Sequence, residues 1–493
     1  MLKHTAAVAI VVTATALTGA AQQPPDTATG ILASIDAKKD QYSAVAKQIW
    51  NYAELGFQEE KSSALLQKIL AEAGFAVEKG VAGMPTAFTA SHGSGRPVIV
   101  VIGEFDALPG LSQQAGDSAR NVLKTGAPGH GCGHNLLGTA SAAAAIAVKE
   151  WMVQGRRAGT VRYYGTPAEE GGGGKLYMVR AGLLKDVDAV VGWHPGDQNN
   201  ANPSSSLATI TATIRFHGTA AHAAASPDRG RSALDGIEAL DYLINMMREH
   251  VPQETRLHYV IKKGGVASNI VPDYAEGEYQ ARHPDMRVLQ GIWDRILKAA
   301  EGAAMGTGTR VEHEVITSYW NLLPNETLAA VQHRSLMNVG GVDYTPEEQA
   351  FAERIRATLI SPTTPMGSQK EIQPMKVGLT GSASTDMGDI SWNVPTVQMT
   401  AATFSPGVPA HSWQAVACVG ISIGFKGMMV AAKTMTLTMA DLFMDPATLT
   451  KAKEEFLQKR GGPEFKYSSI VGAKPPLDYR VGPVTSSDPR PRS

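Results

Sequence analysis

The hydrophobic positions of the chain fall into successive regimes. Over residues 31–54 they recur at helical spacing (Ile31, Ile35, Tyr42, Val45, Ile49), which predicts one amphipathic helix. A second helix is predicted over 62–73, stopped by Gly74, followed by a strand over 75–81. Residues 97–105, PVIVVIGEF, are a continuous apolar run of the kind buried on both faces of a sheet. An Ala-rich helix (138–152), a strand (160–165), a short helix (175–181) and an apolar strand (188–193) follow. Strands alternating with helices at this spacing predict a largely parallel sheet with helices on both faces.

Near residue 200 the pattern changes to strict alternation. Residues 207–216, 256–262, 273–282 and 309–317 read as half-exposed antiparallel strands, with helices at 230–250 and 286–300 between them. Strand-helix-strand-strand-helix-strand is the ferredoxin-like order. The predicted fold is therefore α/β, a mixed, mostly parallel catalytic domain interrupted by a small α+β domain. The boundaries are 31–205 and 319–440 for the catalytic domain and 206–318 for the insert. Helices at 326–339 and 346–360, a strand at 396–400 and one long helix at 415–435 complete the second catalytic part. Residues 441–493 hold a C-terminal helix and a tail whose Pro- and Ser-rich composition from Lys474 onward predicts disorder.

Length and charge narrow the options. The chain has 493 residues, enough for two or more cores. A net charge of -1 argues against nucleic acid or an anionic membrane surface as partner. Lys3 and His4, an apolar run over 6–17 and the small residues 18–21 form a secretory signal pattern, too short for a membrane span. A signal peptide over 1–21 predicts an exported protein, periplasmic or secreted.

Candidate chemistry gathers at strand ends. Glu104 and Asp106 follow the first buried strand, Glu169-Glu170 and four glycines follow the next, and His194-Pro195 closes the third. Between them lies Gly129-His130-Gly131-Cys132-Gly133-His134-Asn135, rich in soft metal ligands and in glycines that let the backbone wrap an ion. With His411, these residues offer the ligands of a hydrolytic metal site: Cys132, His134, Glu170, His194 and His411, with Glu169 as general base. Taken singly, each has an ordinary structural explanation; together they make one pattern. Cys132 could also be a nucleophile, or pair with Cys418, the other cysteine, as a disulfide.

The segments GEFDALPGLSQ (103–113), GAPGHGCGHNLLGTA (126–140), GTPAEEGGGGK (165–175), HPG (194–196), HGTAAHAAASPDRGRSALD (217–235), GGVASNIVPDYAEGEYQAR (264–282), STDMGDISW (384–392) and HSW (411–413) carry a resemblance. The chain resembles peptidase family M20, the aminoacylase/carboxypeptidase-like metallopeptidases and amidohydrolases, in its subfamily D and most of all the aminobenzoyl-glutamate hydrolase group. The resemblance implies two divalent ions, Zn²⁺ or Mn²⁺, with Cys132 as bridging thiolate and His134, Glu170, His194 and His411 as the other ligands. It implies Glu169 as base, His222 as a group reaching a partner's site to polarise the scissile carbonyl, and Asn269 and Arg282 as substrate-binding positions. It makes the insert a lid and dimerisation domain, and the protein a homodimer. Two departures stand out. Glu104-Phe105-Asp106 replaces the common His-x-Asp, leaving Asp106 to orient a ligand and Glu104 without an obvious ligand role. Asn135 replaces the Asp that commonly follows Cys-Gly-His.

The implied activity is hydrolysis of the amide bond of N-acyl or N-aroyl amino acids, aminobenzoyl-glutamate-like, by metal-activated water. The substrate is a small molecule with a free carboxylate. Competing readings are an exported dipeptidase or aminoacylase of the same family, a cysteine hydrolase using Cys132, and a catalytically inactive binding protein.

Overall fold

The computed structural model describes residues 25–481. The expected signal peptide, residues 1–21, lies outside the described residues, as does the end of the tail. Ten strands form two sheets among the described residues: β1 (Ala76–Lys79), β2 (Phe88–Ser94), β3 (Val98–Gly103), β4 (Gly159–Gly165), β5 (Ala189–Gly196), β6 (Ala208–His217), β7 (Arg256–Lys263), β8 (Tyr274–His283), β9 (Arg310–Tyr319) and β10 (Thr396–Ala402).

The larger sheet has the order β1-β2-β4-β3-β5-β10. Strands β4, β3, β5 and β10 run parallel, and β2 runs antiparallel to both β1 and β4. The unbroken apolar run of β3 has a direct cause. Ile99 and Val101 enter the core on one face, and Val98, Val100 and Ile102 enter the core on the other. The first core is built on the helices His134–Gln154 and Ser422–Met444, the second on Gly174–Arg180 and Met387–Ser391. The helix His134–Gln154 is apolar and long enough to cross a membrane, but 83% of that stretch is buried inside the protein, so it is a central core helix.

The inserted sheet has the order β7-β8-β6-β9, all antiparallel, with the helices Ala233–Met247 and Met286–Thr307 on it. Strand β8 alternates buried and half-buried along its ten residues, as its sequence pattern requires; β6, expected half-exposed, is instead buried over its first seven residues, because it lies inside the sheet between β8 and β9 and its outer face carries short threonines. Ser232 and Asp285 start the two helices by accepting backbone N–H groups. The connectivity and strand order are ferredoxin-like.

Four further local features differ from expectation. The first helix is two, Pro25–Asp36 and Lys39–Tyr52. The long helix predicted over 415–435 is also two, Trp413–Val419 and Ser422–Met444, bent by 72°. At that corner a Cβ on Gly420 would lie 2.8 Å from the Trp50 ring, so the turn needs a residue without one. Strand β2 gives a weak sequence signal, because its second half is the exposed, polar and glycine-bearing stretch to Ser94. Residues 461–481 follow a defined course, against the disorder expected from Lys474 onward. Their apolar and aromatic side chains find seats on the two domains, which composition alone could not reveal.

Parallel pairing sets up everything that follows. Gly103 pairs with Gly165, Val101 with Val191, and His194 with Thr400, so the ends of β3, β4, β5 and β10 open on one edge of the sheet.

Candidate metal centre

Each loop leaving that edge delivers donors to one place. Cys132 precedes the helix His134–Gln154, and Gly133 between them takes a left-handed φ of 77°. A Cβ there would strike Pro195 at 2.8 Å, so glycine allows the loop to close on the end of β5. Cys132 Sγ lies 3.4 Å from His194 Nε2. His194 Nδ1 is 2.8 Å from the Pro195 carbonyl, which fixes its proton there and turns the Nε2 lone pair inward. Asp106 does the same for His134, holding Nδ1 at 2.8 Å.

The donors form overlapping groups whose ligand atoms all lie within 4.8 Å of one another: Cys132 with His134 and His194, Cys132 with Glu170 and His411, and Glu104 with His134 and Glu169. Cys132 belongs to the first two. His134 Nε2 and Glu104 Oε2 face each other at 3.1 Å, yet neither has a hydrogen-bond partner among the described residues. Glu170 Oε1, 3.2 Å from His411 Nε2, is equally without one. Buried lone pairs facing one another with no proton donor between them are what a cation site requires. The thiol chemistry agrees. Burial, and then the Glu170 carboxylate, push the Cys132 thiol up, so a thiolate here needs a cation beside it. The same upward shift argues against Cys132 as a free nucleophile. Both cysteines are free thiols, which removes the disulfide reading.

Glu169 and Glu170 are separated by their backbone geometry. Ala168 sits at a left-handed φ of 58°, and its N–H donates to buried Glu59 at 2.8 Å. Burial, and then Asp106, raise the Glu59 carboxyl to about 8. Glu170 N–H donates to Asp106 Oδ2 at 2.9 Å, so Asp106 orients both His134 and Glu170. Glu169 is partly accessible. Burial first, then Glu104, Glu170 and Asp386, hold its carboxyl well above the ordinary range, with Lys175 opposing. A carboxylate raised in this way holds a proton better, as a general base must. His411 also has a positive φ, 60°, and its N–H donates to the Gly131 carbonyl at 2.8 Å, joining the end of the β10 loop to the cysteine loop.

Two residues of the centre, Lys175 and Asp386, went unread in the sequence. Lys175, fully buried, places Nζ 2.8 Å from Glu104 Oε1 and 2.5 Å from Asp386 Oδ1. Asp386, with burial and then Glu104 raising it against Lys175, rests at about 6. Glu104 is desolvated, but the Lys175 ammonium above all overcomes that and holds it below the ordinary range, ionised, with Oε2 turned into the donor cluster. A lysine after four glycines gives no sequence signal of burial, and Asp386 lies 211 residues away from it. Asn135 has a plain explanation: its side-chain amide donates to the Ala46 and Val419 carbonyls, which an aspartate could not do. His130 is buried, bonds to the Ile49 carbonyl and is held down to about 4, chiefly by burial, so it is a core histidine.

The remaining predicted residues lie on the insert and join none of these donor groups. His222 is exposed, and its Nδ1 accepts the N–H groups of Ala224 and Ala225 at 3.2 Å, leaving Nε2–H as an outward donor. Exposed Asn269 is its neighbour, its carbonyl accepting from Ala223 N–H at 3.0 Å. Arg282 lines a cavity of about 650 Å³ with Arg256, His258 and Gln280, against the loop 380–382.

Comparison with known proteins gives a consistent result. The model for peptidase family M20/M25/M40 matches residues 100–435. The chain is 42% identical to one of the two named subunits of the p-aminobenzoyl-glutamate hydrolase of Escherichia coli K12, over 86% of this chain and 94% of that one. It is 29% identical to the Xaa-Arg dipeptidase of Mus musculus, over 86% of this chain and 90% of that one. In three dimensions it resembles a dinuclear metal-binding M20 peptidase of Bacillus subtilis, with a TM-score of 0.55 at 17% identity, over 83% of this chain and 99% of that one.

Proposed function

The chain belongs to peptidase family M20, and from that premise we propose that it is a metal-dependent amidohydrolase cleaving N-acyl or N-aroyl amino acids, aminobenzoyl-glutamate-like, with Glu169 as general base. The observation that carries this is the sharing of Cys132 by two donor groups beside a raised carboxyl. Cys132, His134 and His194 would hold one divalent ion, and Cys132, Glu170 and His411 a second, with Glu104 facing the same space. Thiolate and imidazole donors favour Zn²⁺, and the carboxylates admit Mn²⁺. When bound, such ions supply Lewis acidity to the attacking water and to the amide carbonyl.

The chain's own residues then have distinct tasks. Asp106 and the Pro195 carbonyl fix the two buried imidazoles with their lone pairs inward. Lys175 keeps Glu104 ionised. Glu169 takes a proton from the attacking water at its carboxylate and passes it to the leaving nitrogen. His222 on the lid donates Nε2–H to the scissile carbonyl in a partner's site; Asn269, beside it, and Arg282, at the opposite end of β8, grip the substrate carboxylate from different protomers. Homodimerisation follows from that division. It is supported by the exposed apolar side chains Val260, Ile261, Val266 and Ile270 on the lid, the last of them bridged to His222. The E. coli relative is by name one of two subunits of its enzyme, so a partner of different sequence is the competing arrangement. The N-terminal signal pattern supports export, and the Xaa-Arg dipeptidase relative supports dipeptides as the second substrate class.

The test is a hydrolysis screen of acyl-, aroyl- and aminoacyl-amino acids on metal-analysed protein. Preferred turnover of N-aroyl amino acids is expected; turnover of dipeptides alone would move the assignment to the second class.

A further inference from the structure

After the helix Pro446–Arg460 the chain has no regular element among the described residues, yet it follows a fixed course across the catalytic domain. Phe465 packs on Trp392 and Trp320, with ring centroids 5.1 and 5.6 Å apart. Arg180, at the end of the helix Gly174–Arg180, donates to the carbonyls of Ser469, Val471 and Gly472 at 2.7–3.0 Å. Val471 is buried in the second core. At Tyr479 and Arg480 this course reaches the metal centre. Tyr479 Oη donates to the Glu170 carbonyl at 2.9 Å, and the Arg480 guanidinium donates to the same oxygen.

Glu170 is thus held at both ends of its backbone. Its N–H is fixed from the buried side by Asp106, and its C=O from the outer side by Tyr479 and Arg480. The seat is built for this contact. A Cβ on Gly56 would meet Tyr479 Oη at 2.3 Å. Phe57 meets the Tyr479 ring edge-on at 5.8 Å. The loop being held is short and glycine-rich, and its glycines bond locally: Gly171 N–H to Glu169 O, and Gly172 and Gly173 N–H to Ala168 O. Four glycines cost much conformational entropy to order, so an external clamp has a large effect there.

We infer that residues 463–481 are a strap belonging to the metal centre, in which Tyr479 and Arg480 are positioning residues that fix the Glu170–Gly171 peptide and so set the Glu169 and Glu170 side chains in their working geometry. The strap acts through the backbone of Glu170, not on substrate. This rests on the roles proposed above for Glu169 and Glu170, and the test separates the two.

Two variants serve: Tyr479→Phe/Arg480→Met, which leaves the strap in place, and a chain ending after Ala473. Amide hydrogen exchange over residues 166–176 and metal affinity by chelator competition are measured on each, with the helix His134–Gln154 as the internal control for folding. Loss of the two donors should speed exchange in 166–176 by about tenfold and weaken metal binding by a similar factor, with the control helix unchanged. Unchanged exchange overturns the inference. So does faster exchange with unchanged metal affinity, provided that Glu170→Gln lowers that affinity. If Glu170→Gln itself leaves affinity unchanged, the ligand assignment is what fails, and the exchange result alone decides the strap.

Discussion

Replacing Lys175 with Met tests how the buried charges of the centre are balanced. Lys175 is fully buried between two carboxylates, at 2.8 Å from Glu104 and 2.5 Å from Asp386. Removing one member of a buried ion pair costs about 3–5 kcal/mol, because the partner is left charged and desolvated. Here two partners are left, and a folded protein can relieve this only by protonating them. Asp386 already rests at about 6 with Lys175 present; without it both carboxyls move up. The unfolded chain releases these protons in the ordinary carboxylate range, about 4. Between that range and the raised folded values the native state binds more protons than the unfolded state, so the variant loses stability as pH rises. Urea unfolding of chelator-treated protein should therefore show a deficit of about 3–5 kcal/mol near pH 8 that shrinks towards pH 5. A deficit under about 1 kcal/mol near pH 8, or one that does not change with pH, would refute the charge balance described.

Other consequences follow from the same geometry. Cys132→Ser should lower the metal content at both positions together, read by metal analysis after dialysis; loss of one ion alone would mean that Cys132 does not bridge. Asp106→Asn keeps the volume but disturbs the partner of both His134 and Glu170, and should weaken metal binding about 10- to 100-fold by chelator competition. Mixing inactive Glu169→Gln with inactive His222→Ala protein should restore part of the activity if His222 serves a partner's site; absence of any recovery after exchange of protomers places it in its own.

The sequence was most informative where backbone and chemistry coincide. Buried parallel strands must end on one edge, so Asp106, Glu169-Glu170 and His194 could be placed together from their positions after apolar runs. The alternation of β6 and β8 likewise announces the insert, because one face of that sheet packs on its two helices. What stayed illegible depends on partners far away in the chain. Nothing near Lys175 announces Asp386, and a lysine is ordinarily exposed. Nothing in the composition after Lys474 announces Tyr479 on the Glu170 carbonyl, since a polar, proline-rich segment can be ordered by seats on another surface. The bend at Gly420 leaves no room for a Cβ beside Trp50 and Ala115, which meet it only in the folded protein.

The central claim is that Glu169 moves the proton while other residues hold the metal. The direct measurement is turnover of an N-aroyl amino acid by Glu169→Gln, on protein whose bound metal is quantified in parallel. The expected result is a loss of about 10²- to 10⁴-fold in kcat with the metal content of the parent protein. Activity within about threefold of the parent, at equal metal content, would contradict it.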